Sequence, residues 1–136
     1  MAQSTPSLKV KSVTSDSLEV NSITTDSLEV KSATIDRQVL TDAANIDWDI
    51  DSGANADVTI VASRVINAPT NLQDSSTLVL KVIQGGTGNN LLTWNSIFKW
   101  AAGAPPVLSN NVGEYDLIFF YFDGTYMNGS FLRNMS

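Results

Sequence analysis

Fourteen carboxylates are spread along a chain that has neither histidine nor cysteine, and this limits the chemistry it can perform. Without imidazole, the commonest general base and the commonest zinc ligand are missing. Without thiols, a disulfide framework and a thiolate metal site are both excluded, and redox usage says nothing about compartment. Carboxylate chemistry remains. The stretch Asp47-Trp48-Asp49-Ile50-Asp51-Ser52-Gly53 has the alternation of a calcium loop. Its glycine falls one position late, however, and Val58 stands where the bidentate Glu is required. Read as a strand, it puts the three carboxylates on one solvated face and Ile46, Trp48 and Ile50 on the other. Glycoside hydrolysis needs two carboxyl groups about 5–10 Å apart, and no spacing here singles out a pair. The turn Gly85-Gly86-Thr87-Gly88-Asn89-Asn90 has no Lys-Ser/Thr and no helix after it, so it reads as a hairpin rather than a phosphate cradle. Asn128-Gly129-Ser130 and Asn134-Met135-Ser136 match a glycosylation acceptor in a chain that lacks a secretory layout at its start. The expectation is no catalytic residue, no cofactor site and no metal site.

Charge and hydropathy narrow the partners. With 8 basic against 14 acidic residues the net charge is -6, and no Lys/Arg run could track a phosphate backbone, so nucleic acid is not an expected partner. No apolar run approaches the roughly 20 residues that cross a bilayer, so no membrane partner is expected. The chain reads as soluble, in the cytoplasm that makes it. Its 136 residues suit one domain, or a small domain with an extension.

The extension is written as a repeat. SLKVKSVTSDSLEVNSITTDSLEVKSATID is one ten-residue phrase copied three times. Leu8, Leu18 and Leu28 form one apolar column, Val10, Val20 and Val30 a second, and Val13, Ile23 and Ala33 a third. Ten residues of α-helix turn about 1000 degrees, leaving successive copies roughly 80 degrees apart, so no helical face would persist. In a strand, period two divides ten and each Leu-x-Val returns to the same side. The third column falls at odd spacing, which demands a kink near Lys11-Ser12 and its equivalents. Each decad offers about three apolar side chains, worth roughly 1.5–3 kcal/mol apiece, against an ordering cost of about 1–2 kcal/mol for every residue. One copy cannot order itself. Either the segment stays disordered until it binds something, or identical chains in register share a core along an axis, with Leu8, Val10, Val13, Leu18, Val20, Ile23, Leu28 and Val30 as the trimer-interface residues that meet between chains of a stalk; the regular columns favour the second.

From about residue 45, short apolar stretches alternate with turn residues at intervals near ten, the pattern of an antiparallel sandwich or barrel. Candidate strands are 46–50, 58–62, 78–84, 91–94, 97–100, 117–122 and 126–132. Asp123-Gly124 predicts a type I′ hairpin between the last two. The segment 117–122 is apolar at every position, so both of its faces want cover. Two readings stay open for Phe119, Phe120, Tyr121 and Phe122: a central strand with a loop over its outer side, or a strand facing the axis between three subunits.

The stretch LLTWNSIFKWAAGAPPVLSNNVGEYDLIFFYFDGTYMNGSF resembles the C-terminal β-domain of many structural proteins of tailed bacteriophages. Trp94, Lys99-Trp100, Gly103, Pro106, Leu108, Asp116 and Asp123-Gly124 fall on that pattern. Asp47-Trp48 and Val82-Ile83-Gln84 extend the likeness to residues 45–136. Asn95 and Ala101 stand where proline is usual, and Tyr126 near a usual Trp, departures that bear on loop shape. The decads are similar to the Leu-x-Val phrases of trimeric fibre stalks in phage appendages. Both resemblances imply a homotrimeric virion component.

The resulting expectation is an all-β chain, with residues 1–40 as arm and decad stalk and residues 41–136 as an antiparallel jelly-roll-like β-sandwich, assembled as a homotrimer. Its function would be structural. The leading assignment is a capsid decoration or cement protein, or a short head fibre, located in the virion, with residues 1–7 and the first decad meeting the major capsid protein or another virion protein by strand addition. The alternative is a tail fibre or receptor-binding protein in which Trp94, Trp100 or Tyr126, with Tyr121, contact a host surface glycan. A small lectin-like or hydrolytic domain acting on cell-wall sugar is the third reading.

Overall fold

A computed structural model of the chain describes residues 17–136. The chain divides into two units, Met1–Ala33 and Thr34–Ser136, taken here separately. Leu8, Val10 and Val13 lie outside the described residues.

In the described part of the first unit, residues 17–33, the backbone forms neither helix nor strand, and every residue is exposed. Bends fall at Asn21, Asp26 and Lys31. Two of the three, Asn21 and Lys31, sit at the decad positions where a kink was expected. The short strands expected on either side are not formed within one chain. A strand is defined by the partner that takes its N–H and C=O groups, and among the described residues none pairs as a strand with residues 18–33.

The second unit is all-β, with nine strands and two short 3-10 turns. The strands are β1 (Arg37–Val39), β2 (Asn45–Ile46), β3 (Asn55–Ile60), β4 (Arg64–Ile66), β5 (Ser76–Gln84), β6 (Leu92–Trp94), β7 (Phe98–Trp100), β8 (Tyr115–Phe122) and β9 (Met127–Met135). A six-stranded sheet has the order β1-β3-β5-β8-β9-β7, and a three-stranded sheet the order β2-β4-β6.

The pairing corrects the expectation of an antiparallel sandwich. Strands β1, β3 and β5 are mutually parallel, and so are β2, β4 and β6. Only β5, β8 and β9 pair antiparallel. From β1 to β6 the chain alternates between the two sheets, so it winds as three stacked coils, each giving one strand to either sheet. Arg37 pairs with Asn55 and Asn45 with Val65, so one coil is about twenty residues long. Turn residues near every tenth position mark the corners of these coils. A corner and a hairpin use the same residue types, so spacing alone does not tell them apart.

The glycine-rich turn is one such corner. It leaves β5 and delivers the chain to β6 in the other sheet, not to a hairpin partner. The Gln84 side chain donates to the Asn90 carbonyl at 2.8 Å and accepts from the Asn90 N–H at 3.0 Å, standing in for a strand neighbour. Asn90 in turn donates to the carbonyls of Ile60 and Gly85. Gly88, at φ +74°, lies so close to the Asn110 carbonyl that a Cβ would collide with it. The Asp123-Gly124 stretch does make a hairpin, β8 to β9, but through a four-residue loop. Asp123 keeps a negative φ, and its carboxylate accepts the N–H groups of Thr125 and Tyr126 at 2.9 and 2.7 Å. A type I′ turn would need positive φ at both central residues.

Inward side chains of both sheets meet in one core. Ile46 and Ile66 come from the small sheet, with Trp48 just beyond β2. Val58, Ile60, Leu78, Leu80, Ile118 and Phe120 come from the large sheet, and all are essentially inaccessible. Burial alternates along β5 and β8 with the period of two of a strand that has one face in the core.

Candidate interaction surfaces

The acidic stretch serves the coil stack. Asp49 accepts the Asp51 N–H at the start of a 3-10 turn and the Asn71 side chain at 2.7 Å. Asp47 accepts the Asn67 side chain at 2.7 Å. Asp42 takes Arg64 with both oxygens, at 2.6 and 2.9 Å, and Arg37 meets Asp57 at 3.2 Å. Apart from the local Asp51 contact, each of these joins a residue of one coil to one 20–22 positions on, in the next. The Arg64 hydrogen bond holds the Asp42 carboxyl below the usual carboxylate range, with the Val61 N–H helping and burial opposing. Among the described residues, no group of three His, Cys, Asp or Glu side chains converges as metal ligands would.

Strand β8 separates the four residues left open by the sequence. Phe120 and Phe122 point into the core, whereas Phe119 and Tyr121 point outward and are 37% and 48% exposed. Register continues the outward row across the sheet: Val79 opposes Phe119 from β5, and Leu132 opposes Leu117 from β9. Leu132 is also exposed. The outer face of the large sheet thus carries a contiguous apolar strip of Val79, Leu117, Phe119, Tyr121 and Leu132. Lys81, facing the same way, has its ammonium 4.0 Å from the centre of the Tyr115 ring. Both Phe119 and Tyr121 stay partly open to solvent in the second unit.

The apolar residues of the second and third decads are also open to solvent in the single chain. Leu18, Val20, Ile23, Leu28 and Val30 are each 54% to 65% exposed. Side chains of this type are not expected to face water in fixed columns without a partner.

The aromatic residues assigned to sugar contact separate into two places. Trp94 and Trp100 meet edge to face with ring centres 4.9 Å apart, and Phe98, Phe120 and Phe131 close around them. Trp100 lies flat against Gly129 of β9, where a Cβ would overlap the indole. Both indoles border a cleft of about 470 Å³ that Asn95, Ser96, Lys99 and Pro105 also line. The Trp94 Nε1–H is buried with no acceptor. Tyr126 is exposed on the β8–β9 loop and does not line this cleft; the Lys99 ammonium sits 4.5 Å from its ring centre.

Asp116, in β8, is fully buried and accepts the Ser109 backbone N–H at 2.7 Å and hydroxyl at 2.6 Å. It also accepts the Asn134 N–H at 3.2 Å, beside the register shift between β8 and β9. This pins the long loop before β8 and is a structural use of a carboxylate.

Sequence reasoning missed the coil stack and with it β1 and β4. A signal existed. Asn45-Ile46-Asp47 and Val65-Ile66-Asn67 stand twenty positions apart, as do the partners Asp47 and Asn67. The spacing is irregular in the third coil, where Arg64 pairs with Leu92, and the insertion hides the repeat.

The chain matches no protein-family model, no curated protein and no solved structure. Its fold and surfaces define an all-β protein whose distinguishing features are uncovered apolar faces.

Proposed function

We propose that the protein is a non-enzymatic structural component of a tailed-phage virion, a homotrimer acting as a capsid decoration or cement protein or as a short head fibre bound to the coat shell. The observation that carries this reading is the pair of uncovered apolar surfaces on one chain, the decad columns and the outer strip of β8. Repeated columns at equal heights suit identical partners, because an in-register assembly puts Leu against Leu and Val against Val at each level. The resemblance to phage stalks and to the phage C-terminal β-domain supplies the setting. Light scattering tests the assembly, and a mass of three 14.6 kDa chains is expected. Copy number in purified particles tests the location: hundreds of copies mark a head ornament, a dozen or so an appendage, and none overturns the virion assignment.

A second reading, a tail fibre or receptor-binding protein that recognises host carbohydrate, is favoured by one observation. The Trp94 indole N–H, buried without an acceptor on a side chain that lines the cleft, is a donor that a sugar hydroxyl could satisfy. Titration of neutral and acidic oligosaccharides, followed by tryptophan fluorescence, separates it from the first reading.

A further inference from the structure

The coil stack has an open end. Among the described residues, β1 is the last strand of the large sheet and β2 the last of the small one, and both belong to the same coil. Along β1 the groups bonded to β3 come from even-numbered residues: the Asp36 carbonyl accepts from Asn55, and the Leu40 N–H donates to Asp57. Backbone groups alternate sides along a strand, so the N–H and C=O of Arg37 and Val39 point to the free edge. Val39 is 78% exposed. A groove of about 280 Å³ runs along this end, with Gln38, Leu40, Thr41, Ala43, Asn45 and Asp47 among its lining. Such an edge is a template for another strand.

The chain carries a segment of matching pattern. In the coils, inward residues recur as Gln38-x-Leu40, Ile46-x-Trp48 and Ala56-x-Val58. The decads supply Leu18-x-Val20 and Leu28-x-Val30, exposed and without strand partners in the single chain. Two decads span twenty residues, the length of the first coil. With Leu28 and Val30 turned inward, Glu29 falls on the outer side with Arg37, whose Asp57 partner leaves it 66% exposed and free to meet a second carboxylate.

We propose that in the assembled protein residues 27–31 of one copy add as a parallel strand to the free edge of β1 in a neighbouring copy, so that the stalk continues the coil stack across subunits. The proposal rests on the homotrimer reading above and says where the stalk is anchored. Residues 32–36 span up to roughly 17 Å when extended, which fixes how near the neighbouring edge must lie.

The chain has no cysteine, so an engineered disulfide is unambiguous. Chains carrying Glu29→Cys under one tag are co-produced with chains carrying Val39→Cys under another, so that only a cross-chain bond can form. Directly opposed strand residues have Cβ atoms about 4.5–5.5 Å apart, near disulfide range. Ser27→Cys and Lys31→Cys, on the same face two residues away, cover the neighbouring registers. Both tags in one disulfide-linked band, at one of the three registers and in a particle of trimeric mass, is the expected result. A trimer without a mixed-tag bond at any register overturns the proposal and leaves the homotrimer standing. A monomeric mass overturns both, and light scattering on the same sample tells the two failures apart.

Discussion

Replacing Phe119 and Tyr121 together by serine separates folding from assembly, because both side chains leave the sheet on the side away from the core. Aromatic side chains present about 150–250 Å² each. At 37% and 48% exposure, each leaves roughly 70–100 Å² open in the single chain. At about 25 cal/mol per Å², full cover would contribute about 2 kcal/mol per residue. Neighbours around a three-fold axis that cover half of this area gain about 2 kcal/mol per chain, or about 6 kcal/mol per trimer. That is about four powers of ten in the trimer dissociation constant. Dissociation into three chains scales with the square of concentration, so the midpoint concentration should rise about a hundredfold. Sedimentation velocity over a dilution series measures it. Thermal unfolding and the fluorescence of the partly buried Trp94–Trp100 pair should stay close to those of the parent. An unchanged midpoint, with the fold intact, would refute the assignment of this face to the subunit contact.

Three further outcomes are expected. The double change Leu18→Ser and Val20→Ser should raise amide exchange in the decads while leaving the cooperative melt of the second unit unchanged; hydrogen exchange read by mass spectrometry gives both. Gly129→Ala should force the Trp100 ring off β9 and destabilise the fold by about 1–3 kcal/mol, seen as a lower denaturant midpoint and altered tryptophan emission. The Asp42 carboxyl sits below its ordinary value of 3.8 in the folded chain. Its contribution is therefore fully present above that pH and is lost as pH falls through the folded value. Asp42→Asn should accordingly cost up to about 1 kcal/mol near neutrality and flatten the acid limb of the stability curve, and the difference between the two proteins should vanish at the acid end.

The strands at 78–84 and 117–122 were legible from their apolar runs and the turn residues around them, and the structure keeps both; which side chains of 117–122 face inward was not legible, because every position there is apolar. The same text could not show which strand lies beside which. Parallel β1–β3–β5 pairing depends on contacts such as Asn55 with Arg37 and Ala56 with Leu80, between residues too far apart in sequence for any local propensity to join them. The Gly85–Gly88 corner illustrates the difficulty, since glycine at positive φ serves a hairpin and a change of sheet equally well. The Trp94–Trp100 cleft was only half visible. The residue types were plain, but it is the bare Cα of Gly129 that lets Trp100 lie flat, and that relation arises between β7 and β9 in space.

By itself the sequence determined that the chain would be built of strands, that it lacks imidazole and thiol chemistry, and that residues 7–36 write one ten-residue phrase three times. Only the tertiary structure decided that the acidic residues around Trp48 tie coil to coil, that Phe120 and Phe119 part to opposite faces of the large sheet, and that, among the described residues, no further strand follows β1 and β2 at one end of the stack. The physical reason is range. Periodicity and composition act within a few residues of the chain, whereas pairing order and the free edge it leaves are set by burial and hydrogen bonding between segments about twenty residues apart.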